Sequence, residues 1–522
     1  MKMRTRSVGL LLTLIGVIIL VSYFNKPVFS PSPYFESDEN NISDDYFCQN
    51  CNVILISIDS LRADHLGVYG YGKNTSPNID ELASEGIVFK NYITQAYLTP
   101  ISEFSMHTSL YPHAHGLAVS NRYGQEHPLT NPPDTIASIL RRYNYSTVAL
   151  STSPEFSSWE EFKTGFDYFG SFPLNYFPSI AQSRILPNTS KIFMQDLKNK
   201  KFFLWIAIGA VHSPYGYNVP KEIREEYANP NYSGVFRGWP ENGTLDILDI
   251  YNRSYYPEGT DFRSGSINIS QEDMDFILAQ YDSGIDYVDQ YIGNLSKILK
   301  DLDLDKNTII IITSAHGEEF GEHGYIWHYD IHESEIHVPL IIKHPKLGHR
   351  VIESQAQSID VLPTLLDFLK IPTYEKARGQ SLVPLIINGE NSSLDRFIFI
   401  ERTPFMEEYN LTLSNPWSAL PPQVHYDFAV RTDEWKLIYR FSRDFEMNNS
   451  YYKKMTGQEI YIPEFELYNI KEDPREQNNL FFSRKDIADE LKRQLFDWLK
   501  EVNQTTFFNR TEIKNKEIFP YP

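Results

Sequence analysis

NTIIIITSAHGEEFGEHGYIWHYDIHESEIHVP, residues 307–339, joins an apolar run to a dense set of titratable side chains. Ile309, Ile310, Ile311 and Ile312 are consecutive β-branched residues, the pattern of a strand covered on both faces in a parallel sheet. His316, Glu318, Glu319, Glu322, His323, His328, Asp330, His332 and Glu333 follow within eighteen positions. They leave from the carboxyl end of that strand, the edge of an open α/β sheet where ligands bind. A solvated acidic loop has the same look, and the stretch by itself leaves both readings open.

Working outward, VILISI at residues 53–58 is a second buried-strand run and ends in Asp59; FFLWIAI at 202–208 is a third, with His212 and Tyr215 close behind it. Three strands thus deliver Asp59, His212 and His316 near their carboxyl ends, which argues for one shared site. Between them, Ser76-Pro77 starts a helix and Gly86 stops it. Residues 135–142 read as a helix, 146–150 as a short strand, and 273–302 as an amphipathic helix leading into the opening strand. After residue 393, FIFIE, FAVRT and WKLIYRF read as antiparallel strands, and 485–502 as a closing helix. The expected fold is α/β: a large doubly wound, mostly parallel sheet with helices on both faces, plus a smaller C-terminal α+β subdomain with an antiparallel sheet. The expected division is 1–26 anchor, 27–50 linker, 51–393 main domain and 394–522 subdomain. Residues 216–270, rich in Pro, Gly, Asn and Tyr, read as a surface insertion.

The 522 residues, 41% hydrophobic, suffice for a large core. A net charge of -20 argues against nucleic acid, whose phosphates need basic surface. Lys2, Arg4 and Arg6 precede a mostly apolar run at residues 8–21, so the N-terminus reads as a signal sequence or, because no small-residue cleavage site follows, an uncleaved membrane anchor. N-x-S/T sequons recur from Asn41 through Asn509, and with the anchor they predict a glycosylated, extracytoplasmic protein. The two cysteines, Cys48 and Cys51, form a C-x-x-C that precedes a strand rather than opening a helix. That favours a small structural disulfide over a redox motif or half a zinc site.

Six ordered motifs between about residues 52 and 482 resemble the sulfatases of the alkaline phosphatase superfamily. VILISIDSLRADHLGVYGYGKNTSPNIDELASEGIVFKN resembles the opening strand, metal-binding aspartate and first helix, and AYLTPISEFSMHTSLYPHAHG the nucleophile segment. FFLWIAIGAVHSPY resembles the histidine strand, TSAHGEEFGEHG the second metal motif, VPLIIKHP the strand after it, and FELYNIKEDPREQNNL the C-terminal signature.

The resemblance implies a hydrolase of sulfate or phosphate esters that uses one divalent cation, Ca²⁺ by family habit, with Mg²⁺, Mn²⁺ or Zn²⁺ as the other candidates. It assigns Asp59, His316 and Thr99 to the metal, Thr99 to the nucleophile, and His212 and His328 to the ester oxygens and leaving group. Ser102 and Glu103 would support the substrate. Threonine cannot be oxidised to the formylglycine of sulfatases proper, so none is expected, and a metal-activated hydroxyl would attack instead. A helix starting near Ser102 would put Thr99 just before its N-terminus, where free N–H groups favour an anion.

Four departures stand out. Ser60 occupies the place of a second aspartate, and Glu103 that of an arginine. A Lys-x-His pair is missing near residues 152–154. Ala315 stands where the family has an aspartate ligand, which leaves the cation few oxygens. Glu103, Glu318 or Glu319 are the carboxylates near enough in sequence to compensate. The implied partners are a sulfated or phosphorylated glycan or small ester, and a membrane through the N-terminal anchor. Two other readings stay open: a non-catalytic protein that binds such glycans, favoured by Ala315, and a phosphoethanolamine-type transferase, favoured by Thr99 and the anchor.

Overall fold

The three apolar runs become the centre of one sheet. The computed structural model describes residues 46–117, 129, 131–153, 156, 159–172, 179–239, 269–323, 326–328, 330–389, 396–402, 425–442 and 463–504. Among them, the main sheet orders its strands Arg350–Ile352, Ile87–Phe89, Leu340–Lys343, Thr308–Thr313, Asn52–Ile58, Phe202–Ile208, Ser146–Ser151 and Tyr168–Ser171. Asn52–Ile58 is parallel to both its neighbours. Leu340–Lys343 alone runs antiparallel to the strands beside it; the remaining pairs are parallel.

Helices cover both faces. Ile54, Ile56 and Ile58 share a core with Ile285, Val288, Ile292 and Leu295 of the helix Gln271–Asp301. Ser270 starts that helix by accepting from Asp273 N while its own N–H donates to Asp273 Oδ2, at 3.2 and 2.9 Å, which satisfies two otherwise orphaned donors. On the opposite face Trp205 Nε1 donates to Ser57 Oγ at 3.1 Å, and the indole packs edge-on against His107 of the helix Thr99–Thr108. Because Ile56 is fully buried in the larger core, Ile56→Ala is expected to cost about 2–5 kcal/mol, by lost transfer energy plus a cavity. Denaturant unfolding with an unchanged m-value would read it.

The C-terminal sheet pairs Ile398–Arg402, His425–Arg431, Trp435–Ser442 and Phe465–Asn469 in antiparallel sequence. Leu491, Leu495 and Leu499 of the helix Lys485–Gln504 cover one face, while Ile331 and Ile336 of the opening stretch share a core with Ile400, Ala429 and Ile438. Buried ion pairs reinforce this seat: Arg431 to Glu333 at 3.0 Å and Lys436 to Glu476 at 2.9 Å. The acidic stretch is therefore not a solvated loop. Glu318, Glu319 and Glu335 are fully buried.

Cys48 and Cys51 are disulfide-bonded. Of the stretch 216–270, residues 216–239 include the short helix Lys221–Tyr227, and the Tyr232 ring stacks on Phe276; residues 240–268 lie outside the described residues. The expectation of a membrane-anchored, extracytoplasmic chain is corrected. No helix among the described residues is long and apolar enough to cross a membrane; the longest, Gln271–Asp301, mixes polar residues with its apolar stripe. Residues 8–21, whose apolar run carried that expectation, lie outside the described residues.

Candidate active site

Register brings the three strand ends together. Ile58 pairs with Ile208 and Ser57 with Thr313, so the chain leaves the sheet at one level in three adjacent places. Asp59 N donates to Ile208 O at 2.9 Å. Ser60 adopts a left-handed φ of 60°, which costs a non-glycine residue roughly 1–2 kcal/mol. Tyr281 holds it there: its hydroxyl donates to Ser60 O at 2.7 Å and accepts from Arg62 N at 2.9 Å. One tyrosine of the long helix thus fixes the turn that aims Asp59.

Thr99 is the first residue of the helix Thr99–Thr108, three positions earlier than the start expected at Ser102. Its Oγ1 lies 3.0 Å from Asp59 Oδ1 and 3.0 Å from His316 Nε2, and those two atoms are 3.2 Å apart. His316 Nδ1 faces Gly317 O at 2.8 Å. A carbonyl only accepts, so Nδ1 carries a proton. Thr99 donates to Asp59 Oδ1. Asp59 is held below the usual carboxylate range: burial pushes it up, but the hydrogen bond from His316, the neighbouring imidazoles and Thr99 outweigh burial.

This triangle of oxygen and nitrogen atoms suits a dication. Ala315 is buried beside it and supplies no donor. One carboxylate, one imidazole and one hydroxyl fall short of the oxygen cage that Ca²⁺ or Mg²⁺ takes. They fit better an ion that accepts nitrogen and a lower coordination number.

His212 and His328 close the pocket. Their ring centroids are 5.1 Å apart, and His328 is 4.1 Å from His316. His212 Nδ1 faces Ser213 O at 2.6 Å. Burial lowers the pKa of both rings, that of His328 far below the ordinary value, so both are neutral imidazoles. Trp327 carries a φ of 102°, rare backbone for a bulky residue, and turns the chain immediately before His328.

Glu318 Oε1 lies 3.0 Å from His328 Nδ1. Burial raises the Glu318 pKa well above the carboxylate range and the charge of Asp59 adds to it, against the pull of the Tyr215 and Ser60 hydroxyls. Acid and imidazole therefore form a neutral pair sharing one proton. Glu103 is also an uncharged acid near neutrality: burial pushes its pKa to about 8, with Asp59 contributing and Ser57 opposing. An uncharged acid at this place does not repel an anionic ester. Ser102 is turned away, its hydroxyl donating to Ala96 O at 2.6 Å and lying 2.7 Å from Thr94 Oγ1.

The structure thus brings together Asp59, Thr99, His212, His316 and His328, turns the Ser102 hydroxyl away from them toward Thr94 and Ala96, and adds Glu318 as the partner of His328. Tyr281 has no local sequence signal, because the turn it holds lies 221 positions away.

Residues 51–371 match the family model for sulfatases, and residues 321–504 match the model for the C-terminal part of N-sulphoglucosamine sulphohydrolase. An arylsulfatase of Clostridium perfringens is 25% identical over 86% of this chain and 93% of its own length. Human iduronate 2-sulfatase is 28% identical over 56% of this chain and 60% of its own length. An N-acetylglucosamine-6-O-sulfatase of Bacteroides thetaiotaomicron is 27% identical over 57% of this chain, which spans only 48% of that relative. Among solved structures, a complex with its substrate D-glucosamine-2-N,6-O-disulfate aligns with a TM-score of 0.63 at 20% identity, covering 90% of this chain and 100% of that one. The phosphonate monoester hydrolase of Agrobacterium radiobacter aligns with a TM-score of 0.62 at 19% identity, over 89% and 98%.

Proposed function

The chain belongs to the sulfatase family of hydrolases, and on that premise we propose that it cleaves a sulfate ester of a carbohydrate with Thr99 as the attacking hydroxyl. The observation that carries this reading is the placement of Thr99 Oγ1 at 3.0 Å from both Asp59 Oδ1 and His316 Nε2. Relatives named for sulfated sugars support the substrate class.

Asp59, His316 and Thr99 would hold a dication, whose charge favours the alkoxide form of Thr99 and attracts the ester anion. The Thr99 oxygen passes its proton along its hydrogen bond to Asp59 and forms a bond to sulfur as the bond from sulfur to the sugar oxygen breaks. Thr99 sits at the N-terminus of its helix, where the dipole favours the anionic group being transferred. The departing oxygen needs a proton, and Glu318 with His328 can deliver it. A carboxylic O–H donating to His328 Nδ1 leaves the ring proton on Nε2; as Nε2 gives its proton to the leaving oxygen, Nδ1 takes that of Glu318. His212 packs edge-on against His328, 5.1 Å between ring centroids, where it can contact the ester oxygens. Water then attacks the sulfated Thr99, releasing sulfate and restoring the hydroxyl.

Glu318→Gln is expected to lower kcat by about 10²–10⁴ for alkyl esters, whose leaving oxygen must be protonated. Nitrophenyl esters, which leave without a proton, should lose far less. Equal losses for both classes would remove the relay.

The test is turnover of sugar sulfates, aryl sulfates, phosphate monoesters and phosphonate monoesters, with and without added Zn²⁺, Mn²⁺, Mg²⁺ or Ca²⁺. Sulfate release is expected. A second reading rests on the threonine itself, a nucleophile that needs no formylglycine and serves phosphorus as well as sulfur; release of phosphate alone would favour it. Ala315 supports a third reading, a glycan-binding protein without turnover. Activity that appears only in Ala315→Asp would select that reading and end the first.

A further inference from the structure

A second cluster in the segment 319–333 takes no part in the chemistry assigned to Thr99. Glu319, His323 and His332 each present one ligand atom within 4.8 Å of the other two. Glu319 is fully buried and His332 is 4% exposed. Glu319 Oε1 lies 2.7 Å from His323 Nδ1 and accepts from Ser334 Oγ, while its buried Oε2 has no hydrogen-bond partner. The His323 and His332 rings stack with centroids 3.6 Å apart and planes 8° from parallel. His332 Nδ1 is a second buried atom without a hydrogen-bond partner, 3.6 Å from Asp330 Oδ2. Leaving two buried polar atoms unsatisfied is costly, and a shared ligand would account for both.

The outer nitrogens are already held. His323 Nε2 faces Glu476 O at 3.3 Å. His332 Nε2 lies 3.4 Å from Glu466 Oε2 and 3.4 Å from Arg440 Nη2. A histidine that binds a metal ordinarily gives its other N–H to a carbonyl or carboxylate, and such an acceptor stands beside each ring.

We propose that Glu319, His323 and His332 form a structural site for Zn²⁺ or a similar borderline dication, separate from the Thr99 pocket. The Glu319 carboxylate and the Nδ1 atoms of both histidines are the protein ligands, with Asp330 or water as the fourth. Two imidazoles and one carboxylate select such an ion over Ca²⁺ and Mg²⁺. His328 lies on the chain between His323 and His332, so the ion would close a short loop around it. Through Glu466 and Glu476 the same ion would brace that loop against the C-terminal sheet.

The test measures zinc content after dialysis, and the rise in Tm on adding Zn²⁺, in the full-length chain. Native protein and the double variant Asp59→Asn/His316→Gln are compared with His323→Ala, Glu319→Gln and His332→Gln. One zinc equivalent is expected in the double variant, up to one more in the native chain where the Thr99 pocket also binds, and one equivalent fewer than native in the other three. His323 lies at the rim of the cluster, so His323→Ala decides the matter even where His332→Gln fails to fold. Zinc retained in His323→Ala and Glu319→Gln at the native level overturns the proposal, as does a complete absence of zinc from Asp59→Asn/His316→Gln. Co²⁺ in the double variant should give the intense visible bands of a four-coordinate ion; the weak bands of a six-coordinate one would count against the site.

Discussion

Thr99→Ala is expected to lower kcat by at least about 10³-fold, with a much smaller change in KM, because it removes the atom that forms the covalent bond. Only the hydroxyl is removed: alanine is compatible with the first position of the helix Thr99–Thr108, and the direct contact of Asp59 with His316, 3.2 Å in the native chain, does not run through it. Binding of the ester anion by the helix N-terminus and the imidazoles should survive, which keeps the loss in the chemical step. Thr99→Ser supplies the control, since it keeps the hydroxyl and drops only a methyl group. Serine should retain most turnover, and a rapid-quench experiment should trap the ester on residue 99 in native and serine forms but not in alanine. Native-like kcat in Thr99→Ala would transfer the nucleophile to water and leave Asp59 and His316 as its activators.

Much of the fold is legible in the residues because strands buried on both faces must be apolar along their whole length. VILISI, FFLWIAI and the isoleucines at 309–312 therefore announce themselves. The polar residues that follow each run mark the functional edge for the same reason: nothing in the core can tolerate them. Direction is harder to see. Leu340–Lys343 is as apolar as its parallel neighbours and runs the other way, a choice made by the connections around it. Burial of the acidic stretch is harder still. Glu318, Glu319 and Glu333 look like solvated charge until the fold sets their partners beside them: His328 of the same stretch for Glu318, and the distant Arg431 for Glu333. Composition cannot reveal those partners, because an ion pair is a property of two places at once.

That same blindness hides the state of Glu103, and the second large effect follows from it. Glu103→Gln is expected to stabilise the protein above pH 7 and to have little effect near pH 4.5. The folded chain holds the Glu103 proton up to a pKa of about 8, against an ordinary value of 4.5, because a carboxylate there would be desolvated and close to Asp59. Between those values the native state binds a proton that the unfolded chain releases, so stability falls as pH rises through the window, by about 1.4 kcal/mol per unit. Below the window both states are protonated and the effect vanishes; above it the penalty stays constant. Glutamine matches the volume, stays neutral at every pH, and directs an amide toward His107 Nε2, which lies 3.7 Å from Glu103 Oε2 with no hydrogen-bond partner. At pH 7.5 the variant should therefore gain several kcal/mol, on the order of 2–4 once relaxation around the site is allowed for. Urea unfolding of both proteins at pH 5 and pH 7.5 gives the difference directly. A gap of the same size at both pH values would mean that Glu103 does not change its proton on folding, and that its carboxylate is paired in a way the desolvated pocket does not provide.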